Sequence, residues 1–163
     1  MGQDPCPSFG WAQTRRHRII DCAVPFESTL RAPCVGNGYP MTGSPVVIVV
    51  DDDDSLRDAM RRLLEAAGFT PMAYPCGEAL IAEGVTPEAA CVVTDLKLPG
   101  MTGLDLLARL KTLRPGLPVV LITAHDDPAT REHALQHGAS AYIAKPFRGT
   151  ALLQVITSVL VRA

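Results

Sequence analysis

From residue 46 onward the chain alternates short unbroken apolar runs with longer amphipathic segments, whereas residues 1–45 hold no sustained period of 2 or 3.6. Val46 to Val50 is apolar at every position, as a strand buried on both faces requires. Ser55 to Ala67 then places Leu56, Ala59, Met60, Leu63, Leu64 and Ala67 on one helical face. Asp54 or Ser55 is positioned to cap that helix and Gly68 to end it. A weaker strand is predicted over 70–74 and a short helix over 77–83. Ala90 to Thr94 reads as a third strand, and Leu104 to Leu113 as a helix bounded by Pro99-Gly100 and Pro115-Gly116. Pro118 to Ile122 is the fourth strand, Pro128 to His137 a helix stopped by Gly138, and Ala141 to Ala144 the fifth strand. A last helix over 148–161 carries Leu152, Val155, Ile156, Val159 and Leu160 on one face. Strands and helices alternating five times predict an α/β fold. Its core is a doubly wound five-stranded parallel sheet with helices on both faces and right-handed crossovers.

Composition separates the first segment from the rest. Residues 1–45 contain six of the fourteen prolines, three cysteines and the single tryptophan. Arg15, Arg16, His17 and Arg18 read as a solvated cluster. A loosely ordered extension over 1–45 is therefore expected ahead of one domain over 46–163. Met41 opens the stretch leading into the first strand, so residues 1–40 read as an over-extended reading frame. Net charge is −2, which supplies no basic footprint for nucleic acid. No apolar run approaches the ~20 residues of a membrane span, and the N-terminus lacks the apolar core of a signal peptide. Cysteines 6, 22, 34, 76 and 91 form no CxxC pair. They read as reduced thiols of a cytoplasmic protein rather than a disulfide or zinc framework.

The candidate chemistry lies where the strands end. In an open parallel sheet the crevice is beyond the carboxyl ends of the strands. Asp51 and Asp52 follow the first strand, Asp95 the third, Thr123 the fourth and Lys145 the fifth; the second ends in Tyr74-Pro75 with no evident chemistry. Carboxylates about 5 Å apart repel by roughly 3 kcal/mol per pair at an effective dielectric near 20. A divalent cation relieves that repulsion, and hard oxygen ligands with room for waters suit magnesium. The lysine offers a point charge, and the threonine a hydroxyl, to the oxygens of a phosphoryl group. A carboxylate among them has the chemistry to be a nucleophile that forms an acyl phosphate.

The stretches "VVDDDDSLR", "VVTDLKLPGMTGLDLL", "VVLITAH" and "GASAYIAKPF" occur in that order. In motif and spacing, residues 46 to about 161 resemble the receiver domain of two-component response regulators. "TDLKLPGMTG" and the "KPF" ending resemble its FixJ-like group. The resemblance implies a flavodoxin-like fold with strand order 2-1-3-4-5, and a phospho-acceptor role for Asp95. It implies magnesium held directly by Asp52 and Asp95, through water by Asp51, and by the backbone carbonyl of Lys97. It also implies a switch pair of Thr123 and Tyr142, a phosphate-contacting Lys145, and a cis peptide at Lys145-Pro146. Asp53 falls where the family often has an acid, and Asp54 reads as a helix cap.

The implied partners are a sensor histidine kinase or phosphotransfer protein and a downstream protein target. The implied output face is formed by the fourth helix, fifth strand and fifth helix, and a homodimer on phosphorylation is expected through it. Leu153 and Val161 lie off the buried stripe of the last helix and leave apolar surface there. No DNA-binding domain follows the last helix, which leaves two readings open, a stand-alone receiver and a truncated transcription regulator. Two other readings share part of this pattern. Haloacid-dehalogenase-type phosphotransferases use Asp-x-Asp after the first strand, which Asp51 and Asp53 satisfy. They also need acidic residues after the lysine, and "PFRGTALLQVITSVLVRA" has none. A pseudo-receiver serving only as a docking module would keep the fold without the chemistry, but all five site positions are intact. The four histidines carry no role in this reading; His125, two residues past Thr123, reads as a solvated loop residue.

Overall fold

A computed structural model describes residues 43–125 and 127–162. The expectations for residues 1–42, including the start at Met41, lie outside the described residues. The elements are β1 (Val46–Val50), α1 (Asp54–Ala66), β2 (Thr70–Tyr74), α2 (Gly77–Glu83), β3 (Ala89–Asp95), α3 (Gly103–Leu113), β4 (Val119–Thr123), α4 (Pro128–Gln136), β5 (Ala141–Ala144) and α5 (Gly149–Arg162). All four strand pairings are parallel and the order is β2-β1-β3-β4-β5.

Successive side chains on a strand point to opposite faces, and β1 shows why no polar residue fits in it. Val47 and Val49 join one core layer with Met60 and Leu64 of α1 and Leu152, Ile156 and Val159 of α5. Ile48 and Val50 join the other with Leu80 of α2, Leu106, Leu107 and Leu110 of α3, and Ala134 of α4. Ala134 is the single buried residue of α4. The outer strand β2 is only partly buried and carries Pro71, a residue tolerated at a sheet edge.

Several boundaries differ from expectation for physical reasons. β3 and β4 each run one residue further, to Asp95 and Thr123. Pairing of Asp95 with Ile122 and of Thr123 with Ala144 extends the ladder through polar positions. Asp53, rather than Asp54 or Ser55, caps α1: its carboxylate accepts the N–H groups of Ser55 and Leu56 at 2.8 and 3.1 Å. Asp54 instead pairs with Arg57 one turn on. Ala59 and Ala67 are exposed, so the buried stripe of α1 is narrower than its apolar pattern.

Cys91 is a free, buried thiol that burial pushes up to about 12. Cys76 is buried as well, and the reduced-thiol expectation for cysteines 6, 22 and 34 lies outside the described residues. Among the described residues no helix is long and apolar enough to cross a membrane.

Urea unfolding tests both layers of this account. Ile156→Ala is expected to cost 2–5 kcal/mol, roughly the range for a buried branched side chain. Asp53→Ala is expected to cost about 1 kcal/mol and Asp54→Ala under about 0.5 kcal/mol; equal losses at the two aspartates would contradict the cap assignment.

Candidate functional site at the carboxyl ends of the strands

β1 sits at the centre of the chain reversal: β2 lies on one side of it and β3 on the other. Such a switch point opens a crevice at the strand ends. Asp51 leaves β1 into that crevice only 1% exposed. Three interactions fix its backbone and carboxylate. Its N–H donates to the Tyr74 carbonyl at 3.2 Å, its carbonyl accepts from Arg57 Nη1 at 2.5 Å, and its Oδ1 accepts the Asp53 N–H at 2.9 Å. Asp52 is exposed at the rim.

Asp95 ends β3 and is 7% exposed. Its Oδ1 accepts the backbone N–H of Lys97 at 2.8 Å. Lys145, just past β5 and joined to Pro146 by a cis peptide bond, reaches back across the sheet. Its Nζ donates to Asp51 Oδ2 at 3.0 Å and also to Asp95 Oδ2. One carboxylate oxygen from each of Asp51, Asp52 and Asp95 lies within 4.8 Å of the other two. An octahedral magnesium ion with bonds of about 2.0–2.1 Å holds its ligand oxygens roughly 3–4 Å apart. The acidic donor set therefore fits that ion with a small inward adjustment.

Thr123 is fully buried, and its hydroxyl donates to the His125 carbonyl and accepts the His125 N–H, each at 3.2 Å. The half-buried Tyr142 donates its own hydroxyl to the same His125 carbonyl at 3.0 Å. The Arg131 guanidinium stands 5.4 Å from the Tyr142 ring centre. The structure thus gathers Asp51, Asp52, Asp95 and Lys145 into one cluster, with Lys97 touching it through its backbone. Thr123 and Tyr142 form a second group, joined by the backbone carbonyl of His125, a residue that is exposed as expected.

Other supports were not read from the sequence. Arg57 ties the first loop down through the Asp51 carbonyl; its i, i+3 spacing from Asp54 was the available signal. Glu78 on α2 accepts the Met101 N–H at 2.6 Å and so holds the loop after β3. A side chain at Gly103 would run into the Asp95 carbonyl oxygen and come within 2.9 Å of the Leu96 Cα. That absence of a Cβ lets α3 begin against the strand that delivers Asp95.

Electrostatics bind the cluster without fully satisfying it. Burial pushes the Asp51 carboxyl above its ordinary value, against the opposing pull of the Asp53 N–H and the Lys145 ammonium. Burial also works against the Lys145 ammonium. The hydrogen bonds and charges of Asp95 and Asp51 outweigh it and hold that group above the usual lysine value.

A cluster of two buried carboxylates and one exposed, an ammonium and a buried hydroxyl at the carboxyl edge of a 2-1-3-4-5 sheet match a known family. The response regulator receiver domain model matches residues 47–157. The chain belongs to the response regulator receiver domain family. Receiver domains are phospho-accepting switches of two-component signalling rather than enzymes acting on an outside substrate, and this domain is such a switch. The C4-dicarboxylate transport transcriptional regulatory protein DctD of Rhizobium meliloti is 40% identical over 114 residues, 70% of this chain and 25% of that protein. The transcriptional regulatory protein FixJ of Azorhizobium caulinodans is 32% identical over 123 residues, 76% of this chain and 58% of that protein. The chain therefore spans a quarter to three fifths of the length of these relatives. Among solved structures, the FixJ-N crystal structure is 30% identical with a TM-score of 0.64, covering 73% of this chain and 95% of that one. The CheY-like receiver domain protein of Methanospirillum hungatei is 29% identical with a TM-score of 0.68, covering 72% and 94%.

The receiver's charge balance gives a sign that stability measurements check. The folded chain holds the Asp51 proton more tightly than the unfolded chain. The contribution of that group is therefore fully present below its unfolded value, about 3.9, and is lost as pH rises through the raised folded value. Asp51→Asn is expected to raise the urea midpoint of the metal-free protein at pH 7 and to leave it nearly unchanged near pH 3. A lower midpoint at pH 7 would contradict the assignment.

Proposed function

We propose that Asp95 is the phosphoryl acceptor of this receiver. In this reading Asp52 and Asp95 ligate magnesium directly, Asp51 does so through water, and the Lys97 backbone carbonyl completes the protein ligands. The observation that carries the proposal is the convergence on one another of the three carboxylates and the Lys145 ammonium, drawn from the ends of β1, β3 and β5. When bound, magnesium neutralises phosphoryl oxygens and relieves the carboxylate repulsion.

The chain's own residues supply the rest. The partner is a sensor histidine kinase or a phosphotransfer protein presenting phosphohistidine. A carboxylate oxygen of Asp95 attacks phosphorus in line; the new P–O bond forms as the P–N bond breaks and the imidazole departs. Lys145 exchanges its hold on Asp95 for a phosphoryl oxygen. Thr123 turns its hydroxyl from the His125 backbone to another phosphoryl oxygen, and Tyr142 moves behind it. Hydrolysis by water, assisted by the same groups, returns the free carboxylate. The only catalysis proposed is thus on the domain's own phosphoryl group.

The switch shifts a population of states and changes binding at the face formed by α4, β5 and α5. A downstream protein target, or a second copy of the chain, binds there. Val161 is 59% exposed at that end of α5, beside the half-buried Leu153. The domain boundary at residue 46, a preceding extension and a cytoplasmic location belong to the same reading. A haloacid-dehalogenase-type reaction would leave Asp95 without a part, which disfavours that reading. The intact set of site residues disfavours a pseudo-receiver.

Incubation with acetyl phosphate and magnesium, followed by intact-mass measurement, is expected to add one phosphoryl group per chain. Asp95→Asn should abolish that gain, and Lys145→Ala should slow it by about 10²-fold or more. Phosphate uptake that survives Asp95→Asn would overturn the assignment of the acceptor.

Sedimentation velocity tests the output face separately. A beryllofluoride-treated sample is expected to shift from monomer toward dimer, and Val161→Glu to cancel the shift. An unchanged monomer would remove the homodimer from the proposal.

A further inference from the structure

The exposed side of α4 carries a feature that the phosphoryl chemistry does not use. His133 and His137 lie one helical turn apart, and both are exposed. Side chains at i and i+4 have Cβ atoms about 5–6 Å apart, yet these two rings lean together until their centres are 4.0 Å apart, with planes tilted by 34°. His137 is held in that pose by its own backbone contact: Nδ1 lies 2.7 Å from the His133 carbonyl oxygen. A carbonyl only accepts, so Nδ1 bears the proton and donates it. The lone pair of His137 is therefore on Nε2, away from the helix backbone. Metal-ligating histidines characteristically show this arrangement, one ring nitrogen donating to a backbone carbonyl while the other faces the ion.

We propose that His133 and His137 form a chelating site for a borderline divalent cation of the zinc, nickel or copper class on the exposed face of α4. Two nitrogens bound to tetrahedral zinc at about 2.0–2.1 Å lie roughly 3.3 Å apart. Binding to one tetrahedral ion sets the two ring centres about 5 Å apart, so the rings, now 4.0 Å apart, splay by roughly 1 Å to admit it. Solvent completes the coordination. The site is separate in place and in chemistry from the carboxylate cluster: imidazole favours zinc, copper and nickel, while carboxylate and water favour magnesium.

Occupancy has a local mechanical effect. With Ala134 as its single buried residue, α4 is weakly tied to the core. A link between successive turns stabilises a helix that packing leaves loose. The C-terminal turn, which ends at His137 and is followed by Gly138 at φ +92°, is the part it would hold.

Imidazole nitrogen resonances of the full chain, recorded during zinc titration with magnesium in excess, test the proposal residue by residue. Before zinc is added, His137 is expected as the Nδ1–H form. On addition, His133 and His137 should shift together along one saturation curve, while His125 stays in place. Each of His133→Ala and His137→Ala should weaken zinc binding at the remaining histidine by about tenfold or more. Both substitutions should also remove a zinc-dependent slowing of amide exchange in α4. Unmoved resonances in a large molar excess of zinc would overturn the proposal. So would a single variant that keeps the wild-type saturation curve at its remaining histidine. Neither result bears on phosphate uptake at Asp95, so this inference and the proposed function stand or fall separately.

Discussion

The Lys145 ammonium, shared between Asp51 and Asp95, is the interaction on which the site depends. It spans the width of the sheet from β5 to β1 and brings into one crevice groups that begin 94 and 50 residues apart along the chain. Without a cation between them, two largely buried carboxylates at neighbouring strand ends would repel strongly. Burial keeps the Asp51 carboxyl displaced upward despite the ammonium, and the charge of Asp95 adds a smaller push in the same direction. A site with one positive charge among three carboxylates keeps an excess of negative charge, which a divalent ion would offset.

The frame around this cluster is rigid for reasons that follow from the sequence. Three central strands, each packed on both faces, leave almost no freedom at the positions where Asp51, Asp95 and Thr123 emerge. Gly103 admits α3 against the end of β3, and Glu78 ties down the loop between them. The helix bearing the least core is α4, next to Tyr142. Rigid support under the chemistry and a loosely seated helix beside it suit a domain that responds to a small local change.

Much of the architecture was legible because the central strands are apolar along most of their length and the helices between them end at glycine or proline. Strand ends were less legible. Asp95 and Thr123 look like loop residues by polarity, and only pairing with a neighbouring strand keeps them in the sheet. Four adjacent aspartates offered no local means of choosing the cap, which backbone direction awards to Asp53. Ala59 and Ala67 fit a helical face by spacing, but alanine exerts little pull toward a core, and the curvature of packing leaves them outside. At the site, charge and position in the chain pointed to the carboxylates and Lys145, and the fold brings those together. The His125 carbonyl between Thr123 and Tyr142 was invisible, since a backbone acceptor has no letter in the sequence. The histidine pair on α4 was spelled out at i, i+4, yet that spacing was read for apolar residues alone.

The outermost strands have a consequence for how molecules of this kind meet. β2 spans five residues with a proline among them, and β5 spans four. A foreign strand seeking to zip onto either margin finds few backbone groups to pair with, and one donor missing at Pro71. The sheet is thereby guarded against the runaway edge-on stacking that leads to fibres, and recognition is left to the helical flanks.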